Sequence, residues 1–104
     1  MVVKELTHKN FDENTKNGMS IIDFHAISWC APCKALKPIF EQLSTEVKVP
    51  FYEVDVDAEP KLAQRFQIMS VPTTIILKDG KEEVLRINGA LPKEEFKKRL
   101  LSKL

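Results

Sequence analysis

The sequence predicts an α/β domain, a central five-stranded mixed sheet flanked by four helices in the order βαβαβαββα. Three stretches carry that reading. Ser20 to Ala26 is apolar on both faces, as a strand covered on both sides must be. The stretch after it repeats apolar residues at Leu36, Ile39, Phe40, Leu43 and Val47, the spacing of a helix that buries one face. Further on, Thr73 to Leu77 and Glu83 to Ile87 flank Asp79-Gly80, a pair that marks an antiparallel hairpin.

The other elements follow in order. Val2 to Leu6 predicts a short first strand. Thr7 can cap a short polar helix through Lys16, anchored by Phe11 and ended by Gly18. The long helix after Cys33 carries Pro38 inside it, which removes the hydrogen bond to the Lys34 carbonyl and predicts a kink. Phe51 to Asp57 predicts a third strand, with Tyr52, Val54 and Val56 on one face. Asp57 can then cap a short helix that has Pro60 in its first turn and Leu62, Ala63 and Phe66 inward. Pro92 opens the last helix, with Glu94 and Glu95 early and Lys97, Lys98, Arg99 and Lys103 late, which matches the helix dipole. Phe96, Leu100 and Leu104 are its inward residues. No linker or repeat interrupts the chain, so residues 1–104 read as a single domain.

Charge and hydropathy exclude several classes. The net charge is +1 with acids and bases interleaved, and no basic stripe suits nucleic acid or an anionic membrane. No segment approaches the ~20 apolar residues of a membrane span. Met1 to His8 lacks the apolar run of an export signal. The reading is therefore a cytoplasmic monomer. In a reducing compartment, a closely spaced cysteine pair is more often metal-binding or catalytic than a permanent staple.

Both cysteines lie in Trp29-Cys30-Ala31-Pro32-Cys33-Lys34, at the predicted strand-to-helix junction. Cys30 falls at or beside the helix N-cap, where free N–H groups and the positive dipole end favour an anion. The thiolate is that anion and is the reactive form of cysteine, so the stretch reads as a redox site. Cys30 is the candidate nucleophile, with its sulfur exposed. Pro32 limits the helix start and keeps the sulfurs close. Tetrahedral zinc would need His8 and His25 as further ligands, and His25 lies in a strand well before the pair, so no metal is expected. Asp23 is an acid in an otherwise buried run. It is the candidate base for Cys33, because burial raises a carboxylate's pKa toward the range useful for proton transfer. Its alternative is a structural acid paired with Lys37 or a hydroxyl. His25 reads as a partly buried strand residue rather than a proton shuttle, His8 as surface, and Glu53 and Asp55 as a solvated or paired edge.

With this element order and these motifs, the chain resembles the thioredoxin family across nearly its full length. Shared features are Asp23-Phe24, the Trp-Cys-x-Pro-Cys-Lys stretch, Lys37-Pro38, Glu53 to Asp57, Ser70-Val71-Pro72-Thr73, Lys78-Asp79-Gly80 and Gly89-Ala90. The resemblance implies the thioredoxin fold and a protein-disulfide reductase working by reversible dithiol/disulfide exchange. Cys30 would attack a substrate disulfide, and Cys33, about one turn deeper, would attack Cys30 and release the reduced product. It further implies a cis Pro72 against the disulfide. The docking surface would comprise Trp29, Ala31, Pro32, Val71, Pro72, Gly89 and Ala90, with the Val71 backbone pairing to an extended substrate segment. No cofactor would be bound; electrons would come from NADPH through thioredoxin reductase. Partners would be that reductase and disulfide-containing proteins.

The chain also departs from the family. Ala31 replaces the usual glycine between cysteine and proline, and Glu53 stands where many bacterial relatives have lysine. His25 stands where an aromatic or small residue is common. Asp23 lies seven positions before Cys30 instead of the usual six, so the strand must bulge or the loop must lengthen within Ala26 to Ser28. Two other functions compete: an oxidase or isomerase, whose relatives carry a histidine between the cysteines, and a binding module in which the redox pair is incidental.

Overall fold

The computed structural model describes residues 3–104; Met1 and Val2, the latter expected in the first strand, lie outside the described residues. The chain forms β1 (Val3–Glu5), α1 (Phe11–Thr15), β2 (Met19–His25), α2 (Ala31–Glu46) and β3 (Phe51–Asp55). It continues with α3 (Pro60–Arg65), β4 (Thr73–Lys78), β5 (Glu82–Asn88) and α4 (Lys93–Leu101). The strands make one five-stranded sheet in the order β1-β3-β2-β4-β5. β3 runs parallel to β1 and β2, whereas β4 runs antiparallel to β2 and β5, so the sheet is mixed as expected.

β2 is central, and its alternation divides the interior. Ile21 faces one layer with Leu36, Phe40 and Leu43 of α2 and Phe96 and Leu100 of α4. Ile22 and Phe24 face the other, with Phe11 of α1, Leu62 of α3 and Tyr52 and Val54 of β3. That two-sided burial is the reason the strand reads as continuously apolar. Phe40 anchors α2 through ring contacts with Phe51 at 5.0 Å and Phe96 at 6.5 Å. α2 is continuous through Pro38, which lies on its exposed face.

At the β4–β5 hairpin, Asp79 and Gly80 take φ of 53° and 71°, the left-handed pair that such a turn requires. A Cβ on Gly80 would come within 3.2 Å of Thr15 Oγ1, so glycine is needed for space as well as for φ. The Asp79 carboxylate accepts the Gly18 N–H at 2.7 Å and joins the hairpin to the entry of β2.

Three expected features differ. α1 is only Phe11–Thr15, because residues 7–10 form a tight turn in which the Thr7 carbonyl accepts the Asn10 and Phe11 N–H groups. Asn10, not Thr7, is the N-cap residue. β3 stops at Asp55, whose carboxylate accepts the Asp57 N–H at 2.9 Å and turns the chain out of the sheet. Consequently Glu59 rather than Asp57 precedes α3 as its cap. Leu104 lies past the end of α4 and is 41% exposed, so it is not a core residue.

Glu46, at the end of α2, accepts hydrogen bonds from Lys93 Nζ at 2.7 Å and Lys97 Nζ at 2.9 Å on α4. These bonds, that from Lys93 first, hold its carboxyl below the usual carboxylate range. A depressed folded pKa stabilises above the unfolded carboxylate pKa, and the contribution is lost as pH falls through the folded value. Glu46→Gln should therefore unfold at lower temperature than the unmodified protein at pH 7. The gap should close as pH falls below about 4. Thermal unfolding across this range checks it, and a pH-independent gap would contradict the pairing.

Candidate active site

The site is built from the N-terminus of α2. Cys30 is its N-cap, with extended backbone at φ −99° and ψ 104°, and its Sγ accepts the Cys33 N–H at 3.2 Å. The Lys34 N–H goes to the Cys30 carbonyl, and Pro32, in the first turn, has no N–H to satisfy. The sulfur thus takes the place of the side-chain oxygen that usually caps a helix. Cys30 and Cys33 are joined as a disulfide, with Cα atoms 5.2 Å apart.

The extra residue before Cys30 is absorbed by the loop, not by the strand. β2 keeps unbroken register with β3 through His25 and with β4 through Phe24. The chain then winds into a turn in which Ala26 O accepts both the Trp29 N–H at 3.3 Å and the Cys30 N–H at 2.9 Å. This turn, together with Val56 and Val71, packs over the sulfurs. Cys30 is 3% exposed and Cys33 0%, so the nucleophile expected to be open is nearly covered. The order of depth still matches expectation.

Across the sheet, the Val71-Pro72 bond is cis, as the resemblance implied. The Val71 carbonyl oxygen lies 3.7 Å from Cys30 Sγ, within reach of a thiol hydrogen when the pair is reduced. Pro72 is buried and its carbonyl accepts the Gly89 N–H at 2.8 Å, which draws Gly89 to the same end of the sheet. Ala31, Pro32 and Ala90 are exposed, and Val71 and Gly89 half-buried. Trp29 is 63% exposed, yet its indole N–H donates to Asp57 Oδ2 at 2.8 Å. That bond is the role of Asp57, in place of the helix cap expected from sequence. A shallow groove of about 200 Å³ runs beside it, lined by Trp29, Val56, Ile68, Met69, Ser70 and Val71. Met69, at 91% exposed, and Ile68 were missed from sequence. Their only signal was adjacency to Ser70-Val71-Pro72, since no periodicity marks them.

At the carboxyl end of β2 lies a buried polar layer. Asp23 is 2% exposed, and its Oδ2 meets His25 Nδ1 at 3.1 Å. Among the described residues its other oxygen, Oδ1, has no hydrogen-bond partner, and neither has Oγ1 of Thr74, the residue opposite Asp23 on β4. Lys37 does not pair with Asp23; it reaches Glu41 at 3.3 Å and Glu53 at 3.4 Å. His25 is buried rather than partly buried, and its partner is the carboxylate two residues back. Burial works against its protonation, but the Asp23 hydrogen bond and the charges of Asp23 and Glu53 outweigh it, so the imidazole pKa is raised. His8, largely exposed, is taken up by Glu59. Among the described residues, no three or more His, Cys, Asp or Glu side chains are grouped to hold a metal ion.

The thioredoxin family model matches residues 2–102. The chain belongs to the thioredoxin family. The thioredoxin of Staphylococcus haemolyticus is 41% identical over 98 residues, 92% of each chain, and that of Staphylococcus aureus is 37% identical over the same span. Among solved structures, the reduced thioredoxin pre-protein of Schistosoma mansoni superposes with a TM-score of 0.85 at 30% identity, covering 100% of both chains. A Nicotiana alata thioredoxin superposes at 0.86 and 32% identity, over 97% of this chain and 91% of its own. The architecture is accordingly the thioredoxin fold, and the chain is a protein-disulfide oxidoreductase that works by reversible dithiol/disulfide exchange. Thioredoxins need no prosthetic group, and the family implies disulfide substrates and a thioredoxin reductase as partners. No helix among the described residues is long and apolar enough to cross a membrane.

Trp29 is the sole tryptophan, so its fluorescence reports on the site alone. Asp57→Ala should lower its anisotropy and raise its accessibility to a neutral quencher, because the indole loses its tether. Unchanged values in a folded variant would remove Asp57 from the site.

Proposed function

We propose that Cys30 is the nucleophile, Cys33 the resolving thiol and Asp23 the base that takes the Cys33 proton. The observation that carries the assignment is the Cys33 N–H directed at Cys30 Sγ at 3.2 Å, at the head of a 16-residue helix. A donor and a dipole end aimed at one sulfur favour its thiolate, and nothing comparable serves Cys33.

In the first step the Cys30 thiolate attacks one sulfur of a substrate disulfide. A Cys30–substrate bond forms, the substrate S–S bond breaks, and the first substrate sulfur leaves as a thiolate that takes a proton from water. Cys33 then yields its proton to Asp23 and attacks Cys30 Sγ. The Cys30–Cys33 bond forms, the mixed disulfide breaks, and the second substrate sulfur leaves with the proton. Two electrons pass from the cysteine pair to the substrate. An extended substrate segment would lie against Trp29, Ala31, Pro32, Val71, Pro72, Gly89 and Ala90, with its backbone paired to Val71. Val71, half-buried and with its carbonyl beside the sulfur, supports that placement.

The disulfide would be reduced again by a thioredoxin reductase drawing on NADPH. The setting we propose is cytoplasmic, with residues 1–104 acting as a single domain and a monomer.

With a protein disulfide as substrate, Cys33→Ser should accumulate the mixed disulfide, whereas Cys30→Ser should form none. An adduct on Cys33 of the Cys30→Ser variant would reverse the two roles. Asp23→Asn should slow product release from the mixed disulfide by on the order of 100-fold near neutral pH, the usual worth of a positioned base. An unchanged rate at every pH would end its assignment.

A further inference from the structure

His25 has no part in the exchange as described, yet it is buried against the group that takes the proton. Residues two apart on a strand share a face, so Asp23 and His25 point into the same layer of the structure. They are 2% and 5% exposed and 3.1 Å apart from Oδ2 to Nδ1. A carboxylate taken out of water is costly unless another group bonds it. The structure must supply that group.

The surroundings leave His25 as that group. Glu53, opposite Asp23 on β3, is itself negative and is bound to Lys37 of α2. Asp55, opposite His25, spends Oδ1 on the Asp57 and Ala58 N–H groups. From β4 only the uncharged Thr73 and Thr74 are presented, and Phe96 and Leu100 of α4 are apolar. Lys37 is directed at Glu41 and Glu53, so among the described residues the one hydrogen-bond partner of the Asp23 carboxylate is His25.

We propose that His25 is a positioning residue for Asp23: its imidazole holds Oδ2 and keeps the carboxylate ionised, leaving Oδ1 as the atom that accepts the Cys33 proton. This rests on the reading of Asp23 as the base. Burial works against a charged ring, yet the Asp23 hydrogen bond and charge raise the imidazole pKa, which agrees with the pairing. The pH limb of the resolving step then depends on both residues, because one carries the proton and the other holds it in place. The sign follows directly. Without the imidazole the carboxylate loses the donor on Oδ2, its charged form is less favoured, and the lower limb of the rate profile moves to higher pH.

The test is the single-turnover rate of substrate release from the mixed disulfide, measured from pH 5 to 9. The proteins compared are the unmodified chain, His25→Phe, His25→Asn, Asp23→Asn and the Asp23→Asn/His25→Phe double variant. His25→Phe should shift the lower limb upward by about one pH unit or more. His25→Asn, whose amide can donate from near the Nδ1 position, should stay close to the unmodified profile. In the Asp23→Asn background, His25→Phe should add no pH dependence. Coincident profiles for His25→Phe and the unmodified chain would overturn the inference, as would equal shifts for Phe and Asn, which would mean packing alone. If Asp23→Asn itself changes nothing, the base assignment fails; if it slows release while His25→Phe does not, only the role of His25 falls. Should His25→Phe not fold, NMR titration of the His25 ring decides instead: its midpoint must drop in Asp23→Asn, and an unmoved midpoint contradicts the coupling.

Discussion

The Cys33 N–H bonded to Cys30 Sγ is the contact on which the rest of the site depends. It exists only while Cys30 is the residue just outside α2 and Cys33 the third inside it, and a C-x-x-C spacing at a helix start produces that arrangement. α2 in turn is held by Leu36, Phe40 and Leu43 against Ile21, Phe51 and Phe96. The core therefore acts on the sulfur by fixing where the helix begins. Both sulfurs are buried, so what this helix end gives unequally is the N–H, aimed at Cys30 and not at Cys33.

Strand pairing brings the remaining parts to that helix end. β2 and β4 are antiparallel, so the carboxyl end of β2, which leads into the cysteine loop, meets the amino end of β4, which follows Pro72. Residues forty positions apart converge there, and Val71 comes to lie beside Cys30. The same end holds the buried polar residues Asp23, His25, Thr73 and Thr74. Buried polar groups destabilise a core unless they are bonded. Their concentration at this end of the sheet, with two oxygens left unpartnered among the described residues, separates this layer from the apolar interior around Ile21 and Ile22.

The elements legible in the sequence were those whose pattern is local. The two-sided apolar strand, the apolar stripe of α2, the Asp79-Gly80 hairpin and the cysteines at a helix cap all follow from periodicity and turn chemistry. The cis Pro72 and the approach of Val71 did not; they came through family resemblance, because a contact across the sheet leaves no local trace. Side-chain partners were less legible than elements. Asp57 read as a helix cap, but Asp55 turns the chain first and frees Asp57 for the Trp29 indole. Lys37 was one alternative partner for Asp23, but Glu41 and Glu53 take it. The extra residue before Cys30 allowed either a bulge or a longer loop, and the Ala26 turn shows the loop. His25 carried a signal that was readable but unused: an Asp-x-His pair on one face of a buried strand.

The central claim is that the two thiols of the reduced protein differ because of where α2 begins. It is tested most directly by the rate of alkylation of each cysteine against pH, resolved by mass spectrometry. The account predicts that Cys30 reacts first, with a midpoint below the ordinary cysteine value of about 8.5, while Cys33 stays unreactive over the same range. Equal reactivity of both thiols with a midpoint near 8.5, or prior reaction of Cys33, would contradict it.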